Sequence, residues 1–421
     1  MVDFIDGAFY SRSINNPLVS SKLLSQGQKS RIYFLTALDQ NSPYTVAAED
    51  RSYFGEGGQS FVNVLRYQHL FSKNTRMGVV TTNRYYQNGG FSNLFGTDGR
   101  FILSKNWQLN YEVFTNKNLE PTSNWIDSED VLISKTAALD GETFSGTALY
   151  LQLFHNTEHW KSSLALSSLS PHYQANVGFV VKNNRRWVSL KQQYQNFINK
   201  KGLQFFSVGY KGDLQYTPQG EFKTLSIDGI VELRTFFNTS IEYTYDFDVK
   251  KDYLDRLYYN LGIHQIDMRS TPSEAVTIVA SFMMGKDIAY NEDIPDVGRQ
   301  FNAFIQPSFQ LNNNFGVLPS LRYAQLKNLQ EGGYYFKGYI GRFTLRYQFN
   351  NFLSVRLVSE YNHFNETFFL QPLIQWNPNP STVFYVGGNQ NSLDEFNSEF
   401  YSPFRVDETQ FFLKFQYLFS L

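Results

Sequence analysis

The sequence predicts an all-β fold, a transmembrane antiparallel up-and-down β-barrel of about 22 strands (range about 20–24). Aromatic residues make up 17% of the 421 residues, yet the mean hydropathy is −0.38. Membrane strands that alternate lipid-facing and water-facing residues produce this combination. The sequence contains no run of 18 apolar residues, so it predicts no transmembrane helix.

Period-two alternation recurs along most of the chain, as expected of strands whose two faces meet different surroundings. In 343–349 and 353–361, apolar residues alternate with polar ones. No segment shows a convincing helical pattern. A single alternating strand also suits a soluble β-sandwich, and the recurrence along the chain favours the membrane barrel.

The C-terminal strand shows the alternation over its whole length. A barrel has no free edge, so this strand is expected to pair with the first one. A terminal strand of this type resembles the signal that barrel-assembly machinery reads. The residues on its apolar face are Phe411, Leu413, Phe415, Tyr417, Phe419 and Leu421.

Two kinds of connection alternate between the predicted strands. Short turns are rich in Asn, Gly and Pro, as at 312–314 and 377–380. The longer polar segments are 39–57, 118–143, 285–298 and 390–407. This arrangement predicts periplasmic turns and extracellular loops. An even strand count places both termini in the periplasm.

The strands themselves are predicted at lengths of about 9–13 residues, which suits a tilted membrane strand. Their predicted starts lie near residues 3, 17, 29, 59, 75, 94, 107, 144, 159, 176 or 186, 203, 222, 236, 256, 274, 299, 315, 336, 351, 366, 381 and 409.

No composition break divides the chain, so residues 1–421 are predicted to form a single barrel domain. The N-terminal residues lack the basic and apolar regions of a signal peptide. We therefore expect a mature form or an excised piece of an exported protein, without any accessory module.

The sequence predicts no catalytic role, no cofactor and no metal site. It has no cysteine and only six histidines, and neither GxSxG nor HExxH occurs. Acidic residues at 246–255 and 292–296 lack the regular spacing of a calcium loop. We expect His264 to lie in the lumen. The net charge of −1 argues against nucleic-acid binding.

Charged residues on the face opposite the aromatic stripe are predicted to line the lumen. They either form a network that stiffens the wall or provide a polar lining that favours the passage of anionic solutes. The candidates are Arg84, Arg100, Glu112, Lys211, Glu242, Arg322, Arg342, Arg346, Arg356, Glu360 and Lys414.

Aromatic residues at strand ends are predicted to form the two interfacial girdles of the barrel. They are Trp107, Trp160, Tyr85, Tyr86, Tyr245 and Trp376. Trp125 differs because it lies within a long loop, where it is expected to contact either a plug or a partner.

Several short stretches, in order along nearly the whole chain, resemble a Bacteroidota family of outer-membrane proteins. They are residues 9–12 and 17–23, GVVTTNR at 78–84, 176–181, WNPNPSTVFY at 376–385 and 411–419. In that family a carbohydrate-binding module similar to family 9 modules commonly precedes the barrel. No such module is found in this sequence, so the resemblance implies no sugar-binding residue here.

The sequence thus predicts an outer-membrane protein of a Gram-negative bacterium, a pore or transporter component for polar solutes such as oligosaccharides. The alternative is a non-conducting scaffold that anchors an accessory module or partner complex. Loops 118–143 and 390–407 are the candidates for folding inward. Expected partners are outer-membrane lipid and lipopolysaccharide, the barrel-assembly machinery, and a surface or periplasmic protein.

Overall fold

The computed structural model describes residues 7–200, 202–394 and 404–418. They form one short 3-10 helix, Ser11–Ser13, and otherwise strands and connections. No helix among them is both long and apolar enough to cross a membrane. The strands are β1 Pro17–Gln26, β2 Ser30–Asp39, β3 Ser42–Ala47, β4 Ser52–Gly57, β5 Ser60–Leu70, β6 Arg76–Tyr86, β7 Phe91–Ile102, β8 Trp107–Leu119, β9 Val131–Leu132, β10 Lys135–Thr136, β11 Thr143–Asn156, β12 Trp160–Leu169, β13 Arg185–Lys200, β14 Leu203–Tyr216, β15 Phe222–Thr235, β16 Thr239–Tyr253, β17 Arg256–Ser273, β18 Val276–Ile288, β19 Val297–Gln310, β20 Phe315–Asn328, β21 Tyr334–Gln348, β22 Leu353–Asn362, β23 Thr367–Asn379, β24 Thr382–Asp394 and β25 Phe404–Tyr417.

Twenty-one of the described strands belong to one sheet. Successive strands pair antiparallel, as in β5 with β6, β18 with β19 and β24 with β25. Two short hairpins, β3–β4 and β9–β10, stand outside this sheet. The sheet continues past them, because β2 pairs with β5 and β8 pairs with β11. The predicted antiparallel up-and-down arrangement is confirmed.

The predicted strand starts agree with this sheet to within about five residues, apart from the one near residue 3. Residues 7–16 form no strand, and residues 1–6 lie outside the described part of the chain. The start left open at 176 or 186 falls at Arg185. The described strands of the sheet number 21. β1 ends at the short turn before β2, so it begins at the end of the sheet that carries the long connections. An even strand count predicts that the first strand begins at the short-turn end.

The chain forms two compact units. Unit 1 comprises Met1–Gln195, Gly209–Ile227 and Asp248–Asn260. Unit 2 comprises Asn196–Val208, Asp228–Phe247 and Leu261–Leu421. The assignment of residues 1–421 to a single domain stays a prediction.

In unit 1 the burial of side chains alternates along the strands. On β5, Val62 and Val64 are fully buried, whereas Phe61 and Leu65 are about half exposed. We call the buried side the covered face and the exposed apolar side the outer face. An exposed apolar row of this kind suits contact with lipid hydrocarbon.

In unit 2 the same alternation separates an apolar outer face from a polar face. Leu321, Phe343 and Ile374 are exposed on the outer face. The polar face carries amides such as Gln371 and Asn389, whose side chains are hydrogen-bonded across β23 and β24 at 2.7 Å.

The C-terminal strand keeps its predicted apolar row. Phe411, Leu413, Phe415 and Tyr417 are all exposed, from 84% at Phe411 to 49% at Tyr417. Phe419 and Leu421 lie outside the described residues.

Candidate functional site

Four segments of unit 1 that lie outside the large sheet fold onto the covered face. We call residues 7–16, 40–59, 120–142 and 170–184 the inward segments. We call the strands of the 21-stranded sheet the wall. Three of the inward segments contribute to one buried cluster, in which Ala8, Ala47 and Tyr173 pack with wall residues such as Phe114 and Leu169. Burying a large apolar side chain stabilises a fold by about 1.5–3 kcal/mol, so this packing holds the segments firmly.

Segment 120–142 joins the wall through a second cluster. Ile126 and Leu139 are buried with Tyr44 and Tyr86, and Trp125 packs against the same group. The Trp125 ring centroid lies 5.9 Å from that of Tyr86 and 6.3 Å from that of Tyr44. Such ring pairs add about 0.5–1.5 kcal/mol beyond their area. Trp125 thus contacts segment 40–59 and strand β6, and loop 118–143 packs onto the covered face of unit 1. For loop 390–407, residues 395–403 lie outside the described part of the chain.

Close backbone approach explains a glycine on the wall. A Cβ atom at Gly146 in β11 would lie 2.3 Å from the backbone nitrogen of Tyr173. Only glycine leaves room for segment 170–184 to cross the wall there.

A buried ion pair fixes segment 7–16. Arg84 is fully buried, donates from Nη2 to the carbonyl oxygen of Ser13 at 2.5 Å, and places Nη1 3.7 Å from Asp39 Oδ2. Asp39 also accepts hydrogen bonds from the backbone nitrogens of Asn16 at 2.8 Å and Asn15 at 3.3 Å. Charge-assisted bonds of this kind are stronger than neutral ones, so Asp39 and Arg84 together anchor the segment.

A single lysine anchors segment 40–59. Lys223 Nζ lies 2.5 Å from Glu49 Oε1, 3.1 Å from Asp50 Oδ2 and 2.9 Å from Asp252 Oδ1. Glu49 and Asp50 belong to the inward segment, whereas Lys223 and Asp252 belong to the wall strands β15 and β16. Lys223 therefore joins the segment to the wall by charge.

A third charged contact lies within segment 120–142. Lys135 Nζ donates to Glu120 Oε1 at 3.2 Å, and both side chains are buried. Burial raises the pKa of Glu120 to about 7, and the nearby Lys135 partly offsets this. Burial likewise lowers the pKa of Lys135. This pair is sensitive to protonation near neutral pH.

Carboxylate oxygens of Glu120, Asp140 and Glu142 lie within 4.8 Å of one another. This spacing suits a divalent cation. Lys135 already brings a positive charge to Glu120, and the backbone nitrogen of Thr136 donates to Glu142 Oε2 at 3.0 Å. We therefore assign the group to anchoring of the segment.

Two of the cavities of unit 1 are lined by both basic and acidic residues of the wall strands. The first has a volume of about 440 Å³ and is bordered by the Lys223 anchor. The second, which we call the arginine cavity, has a volume of about 290 Å³. Its lining residues are Arg31, Arg66, Gln68, Arg76, Asp98, Gly99, Arg100, Asn110, Tyr111 and Glu112.

The predicted lumen residues of unit 1 fall in three places. Arg84 is covered by segment 7–16, Arg100 and Glu112 line the arginine cavity, and Lys211 lines the larger cavity, where it forms an ion pair with Asp213.

The predicted lumen residues of unit 2 cluster on β20–β22. Arg342 Nη1 lies 3.3 Å from Glu360 Oε2, and Arg346 is the direct cross-strand partner of Arg356. Arg322 lies 5.4 Å from the ring centroid of Phe304.

The remaining two candidates of unit 2 lie apart from that cluster. Lys414 lies 5.7 Å from the ring centroid of Tyr385, and Glu242 is exposed on β16. The assignment of all eleven residues to a solute pathway stays a proposal.

Sequence reasoning missed the anchors and most of the arginine cavity. Lys223 meets Glu49 only because the chain folds back over more than 170 residues, and no local pattern marks such a pair. Arg66 did carry a signal, because it lies between the apolar residues Leu65 and Tyr67 on its strand.

No protein-family model matches the sequence, and no curated protein matches it. Solved structures do match. The chain is similar to the copper transporter OprC, at 10% identity and a TM-score of 0.58, over 94% of this chain and 78% of that one.

It is also similar to siderophore receptors named PirA. The one from Pseudomonas aeruginosa matches at 7% identity and a TM-score of 0.57, over 94% of this chain and 76% of that one. The one from Acinetobacter baumannii matches at 9% identity and a TM-score of 0.53, over 92% and 70%. The chain thus has the fold of outer-membrane β-barrels, in agreement with the predicted fold class and outer-membrane localisation.

Proposed function

We propose that this protein is an outer-membrane transport component for polar solutes, oligosaccharides included. The observation that carries the proposal is the polar face of unit 2, in a fold shared with a copper transporter and siderophore receptors. That likeness supports a transport-related barrel and leaves the solute to be argued from the side chains. The proposal assigns no catalytic role to the chain.

Amide side chains on the polar face favour hydroxyl-rich solutes. Gln371 Nε2 donates to Asn389 Oδ1 at 2.7 Å, and Asn389 Nδ2 donates to Gln410 Oε1 at 3.4 Å. Amides both donate and accept hydrogen bonds, so such a row exchanges partners readily with sugar hydroxyls. Arg346 and Arg356 add positive charge to the same face of the sheet, which favours anionic sugars.

Liposome swelling tests this proposal. Liposomes that contain the folded protein are expected to swell in solutions of neutral oligosaccharides faster than empty liposomes. Asn389→Leu should slow the swelling, whereas Asn389→Gln, which keeps the amide, should not. Equal rates for loaded and empty liposomes would contradict transport of these solutes.

A second candidate function is a non-conducting membrane scaffold for an accessory module or a partner complex. The dense packing of the inward segments on the covered face of unit 1 favours it. In that case swelling is absent, and a surface or periplasmic protein should copurify with the barrel.

The remaining proposed partners concern the exposed apolar surfaces. We propose outer-membrane lipid and lipopolysaccharide around the outer face, and recognition of the C-terminal strand by barrel-assembly machinery. The exposed row Phe411, Leu413, Phe415 and Tyr417 supports the latter.

A further inference from the structure

The arginine cavity collects basic residues from four strands of unit 1. Arg31 lies on β2, Arg66 on β5, Arg76 on β6 and Arg100 on β7, and all four residues line the same cavity. Arg31, Arg76 and Arg100 lie within three residues of the ends of their strands, next to short turns. The cavity therefore lies at the short-turn end of the sheet.

Two of these arginines face each other directly. Arg76 and Arg100 are cross-strand partners in the β6–β7 ladder. Like charges in directly opposite positions destabilise a sheet. Arg100 Nε is in addition buried without a hydrogen-bond partner, and a buried unpaired donor costs free energy.

Acidic residues of the cavity balance only part of this charge. Asp98 Oδ2 accepts from Arg66 Nη2 at 2.7 Å, and Glu112 is the other carboxylate of the lining. The lining thus contains four arginines and two acidic residues, an excess of two formal positive charges. Gln68 and Asn110 add amide donors to the same space.

We infer that the arginine cavity binds a compact oxyanion with at least two negative charges, of the phosphate or polycarboxylate class. Guanidinium groups bind such oxyanions through paired hydrogen bonds. A bound dianion balances the excess charge and separates Arg76 from Arg100. The volume of about 290 Å³ is sufficient for a small anion. This inference rests on the cavity alone and does not depend on the proposed transport of sugars.

Calorimetric titration of the folded, detergent-purified protein with sodium pyrophosphate tests the inference, at constant ionic strength in chloride. We expect saturable binding with one site per chain. Arg76→Gln and Arg100→Gln should each weaken the affinity at least tenfold, whereas Arg76→Lys should weaken it less, because it keeps the charge and loses only the paired donors.

Arg234→Gln is the control. Arg234 lies on β15, outside the cavity lining, and donates from Nη2 to Glu232 Oε1 at 3.0 Å. The affinity of the Arg234→Gln variant for pyrophosphate should equal that of the unchanged protein. Heat-modifiable migration in gels confirms that each variant is folded.

Three results would overturn the inference. They are the absence of saturable heat with folded protein, an equal loss of affinity in Arg234→Gln, or unchanged affinity in both Arg76→Gln and Arg100→Gln. Because binding is measured in detergent, a failure of sugar transport leaves this test unaffected.

Discussion

At the residue scale, strand geometry separates neighbours that look alike in the sequence. Tyr85 is 46% exposed on the outer face, whereas Tyr86 is 5% exposed and packs against Trp125. The prediction that both tyrosines belong to an interfacial girdle was therefore wrong for Tyr86. Successive residues of a strand point to opposite faces, so only one of the pair was able to face lipid.

His264 is a second residue whose face of the sheet was predicted incorrectly. It was expected in the lumen, but its ring lies 4.6 Å from Tyr245, and Nδ1 is 2.8 Å from the hydroxyl of Tyr243. Its cross-strand partner is Met284, which is exposed on the outer face. Polar character alone does not assign a histidine to the lumen when tyrosines on the outer face provide it with partners.

The Glu120–Lys135 contact predicts a pH dependence. The pKa of Glu120 is raised to about 7 in the fold from a usual value near 4.5, so the folded state binds more protons between these values. Its contribution to stability is therefore complete below pH about 4.5 and is lost as the pH rises through 7. Amide hydrogen exchange in 120–142, corrected for intrinsic rates, should be slower at pH 5.5 than at pH 8.

Glu120→Gln is the control for that measurement. It imitates the protonated carboxyl group and keeps an acceptor for Lys135, so the corrected exchange rates in 120–142 should vary less with pH. A pH response equal to that of the unchanged protein would show that another group titrates.

Replacement of Lys223 is expected to lower the local stability of segment 40–59. Lys223→Met leaves Glu49, Asp50 and Asp252 without their shared cation. Breaking a buried ion pair costs about 3–5 kcal/mol, and these carboxylates keep some exposure, so we expect about 3 kcal/mol. That corresponds to roughly a hundredfold faster hydrogen exchange in 42–57.

Lys211→Met provides the comparison for Lys223→Met. Lys211 lines the same cavity, is 39% exposed and pairs with Asp213 on its own strand. It should change exchange in 42–57 only slightly. Equal effects of the two variants would argue against Lys223 as the anchor.

At the element scale, the strands were predictable and the inward segments were not. Strands have one apolar and one polar face, which gives the sequence its period of two. The sequence predicted a possible strand start at residue 176. Residues 176–181 instead belong to an irregular segment, in which Val177 and Val180 are buried in two different clusters. A segment that is buried on several sides without regular pairing leaves no periodic signal.

Trp125 tests the attachment of segment 120–142. Trp125→Ala removes its ring contacts with Tyr44 and Tyr86 and should cost about 2–3 kcal/mol, below the range for a fully buried aromatic residue. Limited proteolysis should then cut within 120–142 at lower protease concentration. Trp376→Ala, at a strand end of unit 2, should leave this cleavage unchanged, and equal sensitivity of both variants would contradict the assignment.

At the scale of the whole molecule, the fold class was predictable because it depends on sums over the chain. A high aromatic share, low hydropathy and recurring alternation all reflect strands with one lipid-facing and one water-facing side. An error in the bounds of one strand does not change these properties. Function depends instead on which polar side chains meet. The pairing of Arg342 with Glu360 and of Arg346 with Arg356 follows from strand register, which alternation alone does not specify.

The central claim is that polar solutes cross this barrel along its charged polar face. The most direct test is conductance of the folded protein in a planar lipid bilayer. We expect stable steps with a preference for anions, which should decrease when Arg342, Arg346 and Arg356 are all changed to Gln. Silent membranes with correctly inserted protein, or steps whose ion preference is the same in the variant, would contradict the claim.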